Sequence, residues 1–202
     1  MTSTLRLHLT LLLAAPLTLA PALAQDATHV AAASMAAKVA QIQEAGVKPR
    51  PPGAKPLRTV FTDREVNAYL QIEGPHVLPK GIAEPRIATG AGGKVTARAI
   101  VDLDAVRLSQ SRGLLDPLSF VTGTLEVVAT GTLVAANGSG TGHLESATVG
   151  GIPVPKRVVD ELLRFYTRTP DRPQGFGIDS QFELPAMIQS VAIDAGHVTV
   201  TQ

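Results

Sequence analysis

Apolar and polar residues alternate with a period of two through most of the second half of this chain, which predicts strands. From Lys94 to Leu103, Val95, Ala97, Ala99, Val101 and Leu103 share one face, and Lys94, Thr96, Arg98, Asp102 and Asp104 share the other. One face of this strand therefore meets water, as in an antiparallel sheet. Its expected partner is Glu84 to Thr89, across the hairpin turn Gly90-Ala91-Gly92-Gly93. Leu125 to Ala135 differs. Leu125, Val127, Ala129 and Leu133 lie on one side and Val128, Val134 and Ala136 on the other, which predicts cover on both faces. Asn137-Gly138-Ser139-Gly140 then turns the chain and Thr141 to Val149 returns. The tail gives strands over Gln181 to Leu184, Ile188 to Asp194 and His197 to Gln202, the last two joined at Ala195-Gly196.

Two stretches switch to helical spacing. The first begins at Thr62, an N-cap with Glu65 placed for a capping box and Phe61 and Val66 placed for a hydrophobic staple. Val66, Tyr69 and Leu70 form its apolar side, Arg64, Asn67 and Gln71 are expected toward water, and Gly74-Pro75 is the expected stop. The second follows Gly150-Gly151-Ile152-Pro153-Val154, with Pro155 at its first position. Val158, Val159, Leu162, Leu163 and Tyr166 form a broad stripe. An alanine-rich helix is expected from His29 to Ala45, with Gly46 as its stop. Lys48 to Pro56 is a proline-rich basic linker that cannot join a sheet. Between Ala105 and Gly123 the alternation is lost. Leu114, Leu118 and Phe120 in this connection read as a lid folded over the core, or as an apolar tip that touches a membrane.

The amino terminus changes the domain count. Arg6 and the apolar run Leu7 to Leu19, followed by Ala22-Leu23-Ala24, read as a signal peptide cut near Ala24; the run is short for a bilayer span and contains Pro16. The division is 1–24 signal peptide, 25–56 helix and linker, and 57–202 one α+β domain, in a periplasmic or secreted protein. Removing Arg6 leaves 17 cations against 17 acids. That balance argues against nucleic acid as a partner and against strong adhesion to anionic lipid. The absence of cysteine excludes a disulfide framework and a lipidated N-terminus, so stability rests on burial.

No catalytic constellation emerges. His143 and Glu145 are the closest approach to a metal pair, and two ligands are too few. Asp102 and Asp104 fall on the expected solvent face. There is no nucleophile elbow, and Asn137-Gly138 is a hairpin turn before it is a phosphate loop. The expectation is a protein that is not an enzyme and carries no cofactor or metal.

The helix "Thr-x-x-Glu-Val-Asn-Ala-Tyr-Leu" and the later "Gly-Gly-Ile-Pro-Val-Pro-Lys" resemble bacterial envelope proteins of the LmeA-like and YpmS-like kind, related to tubular (TULIP-type) lipid-binding domains. The resemblance covers approximately Leu57 to Gln202. It rests on Glu65, Asn67, Tyr69 and Leu70 in the first helix and Gly151, Ile152, Pro153 and Pro155 before the second. It implies a curved, mostly antiparallel sheet wrapped around one long helix plus the short capped helix, a half-tube with an apolar groove. The expected function is non-catalytic binding of a lipid or other apolar small molecule. Val66, Tyr69, Val158, Leu162 and Tyr166 are the lining candidates, with Leu114, Leu118 and Phe120 as lid and a peripheral membrane contact as one role of the lid. The alternative is a structural or protein-interaction module of the envelope that offers a sheet edge to a protein partner and fills its groove with side chains.

Overall fold

A computed structural model describes residues 20–48, 51, 53–108 and 122–202. Leu114, Leu118 and Phe120 lie outside the described residues. The elements, in order, are α1 (Ala20–Val47), β1 (Arg58–Thr62), α2 (Asp63–Val77), β2 (Ile82–Gly90), β3 (Lys94–Asp102), α3 (Leu103–Leu108), β4 (Thr124–Ala136), β5 (Ser139–Val149), β6 (Ile152–Pro153), α4 (Lys156–Tyr166), β7 (Gln181–Glu183), β8 (Ser190–Asp194) and β9 (His197–Thr201). The fold is α+β, as expected. The nine strands form one open antiparallel sheet in the order β1-β9-β8-β4-β3-β2, with β5 also on β4 and the short β6 and β7 on β5.

Strand register shows which side of the sheet is covered. Ala135 of β4 pairs with Val191 of β8. Directly paired residues share a face, so the side of β4 that carries Ala129, Gly131 and Leu133 runs on into the side of β8 and β9 that carries Val191 and Val200. There α1 lies against the sheet, and Ile42, Phe61 and Val200 form a core cluster with Met35, Val39 and Val66 around it. A smaller cluster of Ala31, Ala32 and Ala68 joins α1 to α2. The other face of β3 and β4 is the wet one. It carries Arg98 bound to Glu126 at 2.8 Å and the Thr96–Thr130 hydroxyl pair at 3.1 Å. Val134 is 68% exposed there, so the cover expected on both faces of β4 is present on one.

The capping box forms as written in the sequence: Thr62 accepts from the Glu65 backbone and Glu65 accepts from the Thr62 N–H. The same carboxylate also receives Ser34 and Lys38 of α1, both at 2.6 Å, while Lys38 reaches the Val60 carbonyl of β1 at 2.7 Å. Burial raises the Glu65 pKa, but the hydrogen bonds from Lys38, Ser34 and Thr62 outweigh it and bring it down to about 2.

Asn67, expected toward water, instead turns to β2. Its amide oxygen accepts from Ile87 N–H and its amide nitrogen donates to Ile87 C=O, both at 2.7 Å. One turn earlier, Asp63 accepts from Thr89 N–H at 2.9 Å. Side chains four apart on a helix match backbone groups two apart on a strand, so α2 seals the outer edge of the sheet. The turn of the β8–β9 hairpin docks at the same corner, with Asp63 N–H donating to Gly196 C=O at 3.0 Å.

Several element boundaries differ from expectation. α2 continues through Pro75 to Val77 although Pro75 has no N–H to donate to the Gln71 carbonyl, and Leu78 N–H closes the end on Gly74 C=O. α1 runs from Ala20 through Gly46 to Val47. Gly46 is a point of close approach and not a stop, since a Cβ there would stand 2.6 Å from the Ala186 backbone. β3 ends at Asp102, whose carboxylate accepts from Asp104 and Ala105 N–H groups and starts α3, so Asp102 and Asp104 do not share a strand face.

Glu65→Gln is expected to lower stability at neutral pH by on the order of 3 kcal/mol. The folded pKa lies below the unfolded one, so this contribution is present above pH 4.5 and is lost as pH falls toward about 2. Urea unfolding should show a wild-type minus variant difference that is large at pH 7 and much smaller near pH 2. Asn67→Ala strands two backbone groups of Ile87 and is expected to cost about 2 kcal/mol, with faster amide exchange at Ile87.

Candidate apolar site beneath the fourth helix

The uncovered part of the sheet's covered side is a trough under α4. Its floor is made of small residues in register across β3 and β4: Ala97 opposite Ala129, and Val95 opposite Gly131. Val159 and Leu163 of α4 and Ile178 of the following segment form the wall. The volume is about 390 Å³. No Asp, Glu, Lys or Arg lines it, which suits uncharged surface and penalises a buried charge.

The floor is shaped by a bulge. Thr130 pairs with Ser146 but Gly131 pairs with Leu144, so β5 carries one extra residue, Glu145. Gly131 is required at this point, because a Cβ there would collide with the His143 carbonyl. Glu145 leaves the floor and meets Lys94 at 3.2 Å. His143, which is among the residues lining the trough, stands 3.4 Å from Asp179, and Lys156 sits 3.0 Å from Asp179 and holds that carboxyl below its usual range. The two members of the near-pair thus serve different partners.

Sequence reasoning passed over the residues that hold the wall. Asp160 accepts from Arg164 at 2.7 Å and from the backbone N–H of Ile178 at 2.7 Å. The Arg164 hydrogen bond, with the Ile178 N–H second, lowers the Asp160 pKa. Thr167 donates to Leu163 C=O and accepts from Phe176 N–H at 2.6 Å. Together they fasten the return segment to α4 and set Ile178 over the trough. The only local signal was the Asp160–Arg164 spacing of four on a helix.

The expected lining residues do not converge. Val66 packs in the cluster beneath α1. Tyr69 is half-buried on α2, and the Tyr166 side chain lies outside what is described. Val158 and Leu162 do not line the trough; with Phe165 and Arg168 they line a second hollow of about 320 Å³. The reason is angular. At 100° per residue the stripe from Val158 to Tyr166 is about 140° wide, so its Val158–Leu162 and Val159–Leu163 sides line different hollows.

No protein-family model matches the chain, and no curated protein matches it. A solved structure titled as the crystal structure of lipopolysaccharide binding protein is similar over 77% of this chain and 45% of that one, at 17% identity and a TM-score of 0.21. This chain therefore spans less than half of that protein's structure, and so loose a likeness carries no functional weight.

Asp160→Ala is expected to release Ile178 while α4 stays on the sheet. Hydrogen exchange should show the Ile178 amide speeding up at least tenfold, for a loss of about 1 kcal/mol in global stability.

Proposed function

We propose that this is a non-catalytic protein of the bacterial cell envelope that holds a lipid or other apolar ligand in the trough between the sheet and α4. The observation that carries the reading is an apolar hollow left on the covered side of the sheet, in a chain whose described residues include no large side chain that is completely buried. The apolar run before Ala24 and the resemblance of the two helix signatures to envelope proteins of the lipid-binding kind point the same way. Among the described residues no helix is long and apolar enough to cross a membrane.

The alternative, recognition of a protein partner along a sheet edge, finds less support. At Ile87 and Thr89 the β2 edge is occupied by Asn67 and Asp63, and at Val60 the β1 edge is occupied by Lys38.

The test is native mass spectrometry with organic extraction on the chain from Gln25, purified without detergent. A discrete adduct that extracts as an apolar molecule is expected. Leu163→Arg should lose the adduct and Leu162→Ser should keep it, both with wild-type circular dichroism. A clean apo mass that stays unchanged after incubation with envelope lipids would contradict the proposal.

A further inference from the structure

We infer that a separate hollow, between the carboxyl end of α2 and the start of β2, binds a small zwitterion with an apolar side chain, an apolar amino acid or dipeptide. It shares no residue with the trough and stands whether or not the trough is filled. Its volume is about 430 Å³, within the range of small-molecule sites, and Leu70, Ile82 and Pro85 give it an apolar wall. Two charges of opposite sign, Glu84 and Arg86, also line it. Among the described residues neither side chain makes a hydrogen bond or an ion pair. They stand two residues apart on a strand that a bulge between Ala83 and Arg86 interrupts. Glu84 sits in that bulge at φ 49°, in the left-handed region that side chains rarely adopt, and strain of this kind gathers at ligand sites.

Each charge has a reason to take a partner. Arg86 stands directly opposite Arg98 on β3, and Arg98 already holds Glu126, so an anion at Arg86 relieves a like-charge contact. Glu84 lines the hollow together with Gln71, whose carbonyl receives no N–H from Pro75, at the end of α2 where the helix dipole is negative. A carboxylate beside helix-end carbonyls suits an ammonium group. A molecule that carries both charges satisfies Glu84 and Arg86 at once, where a simple anion or cation satisfies one and leaves the other.

The test is a titration at pH 6 of the nitrogen-15-labelled chain from Gln25, followed by its amide shifts. Leucine and leucyl-leucine are the zwitterions. N-acetyl-leucine lacks the ammonium group, leucinamide lacks the carboxylate, and glycine and phosphorylethanolamine lack the apolar side chain. The zwitterions are expected to give saturable shifts at Gln71, Ile82, Glu84 and Arg86, and the tighter of the two tells a free amino acid from a peptide. Each truncated ligand is expected to bind about fivefold more weakly. Glu84→Gln should weaken the zwitterion about fivefold and leave N-acetyl-leucine unchanged, and Arg86→Gln should weaken it as much and leave leucinamide unchanged. Both side chains are exposed and unbonded within the described residues, so these variants keep the fold. Shifts that do not saturate or that fall elsewhere, truncated ligands that bind as well as the zwitterions, or variants that weaken every ligand alike would each overturn the inference, and none of these results bears on the trough.

Discussion

A single carboxylate, that of Glu65, joins the start of α2, the middle of α1 and, through Lys38, the edge of β1. The rest of the arrangement depends on that junction. α2 is short, with a modest apolar side, and would not hold its place by propensity alone. Fixed at its first turn, it presents Asp63 and Asn67 to β2 and so closes one end of the sheet. α1 packs Ile42, Met35 and Val39 with Phe61 and Val200. It is held as well by Lys38 and Ser34, by the close fit of Gly46 on Ala186, and by the Ile42 carbonyl, which accepts from the Gln202 side chain. The junction is nearly dry, with only 12% of the Glu65 side chain exposed, so these bonds act with little competition from water.

With α1 and α2 at one end, α4 covers the other, and the two covers do not meet the sheet in the same way. Under α1, large side chains interlock. Under α4, the floor is Ala97, Ala129 and Gly131, and the helix stands off it. An antiparallel sheet with alanine and glycine on its inner side leaves space that its own side chains do not fill, and the space is apolar because no charge lines it. Asp160 and Thr167 keep the wall in place from outside, so the hollow is built into the fold.

Local structure was legible to the extent that it was local. The capping box, the Asn137-Gly138 turn and the β8–β9 hairpin each lie within a few residues, and each forms where the pattern put it. What the pattern could not show was long-range pairing. Asn67 looks like a solvent residue until a strand twenty residues away presents two free backbone groups to it. β1 is recognisable as a strand only beside β9, at the opposite end of the chain. Periodicity gives the width of the apolar stripe on α4 but not the direction of the sheet: Val159 and Leu163 line the trough, and Val158 and Leu162 a second hollow. Gly131 carried no signal, since the collision that demands it comes from another strand.

Methyl chemical-shift mapping tests the central claim most directly. The mature protein, labelled at alanine, leucine, valine and isoleucine methyls, is titrated with a 12-carbon fatty acid. Placement of the ligand beneath α4 predicts shifts, and ligand contacts, at Ala129, Val159, Leu163 and Ile178, with Ile42 and Val66 unmoved. Shifts confined to Ile42, Val66 and Val200, or to Val158 and Leu162, would contradict it.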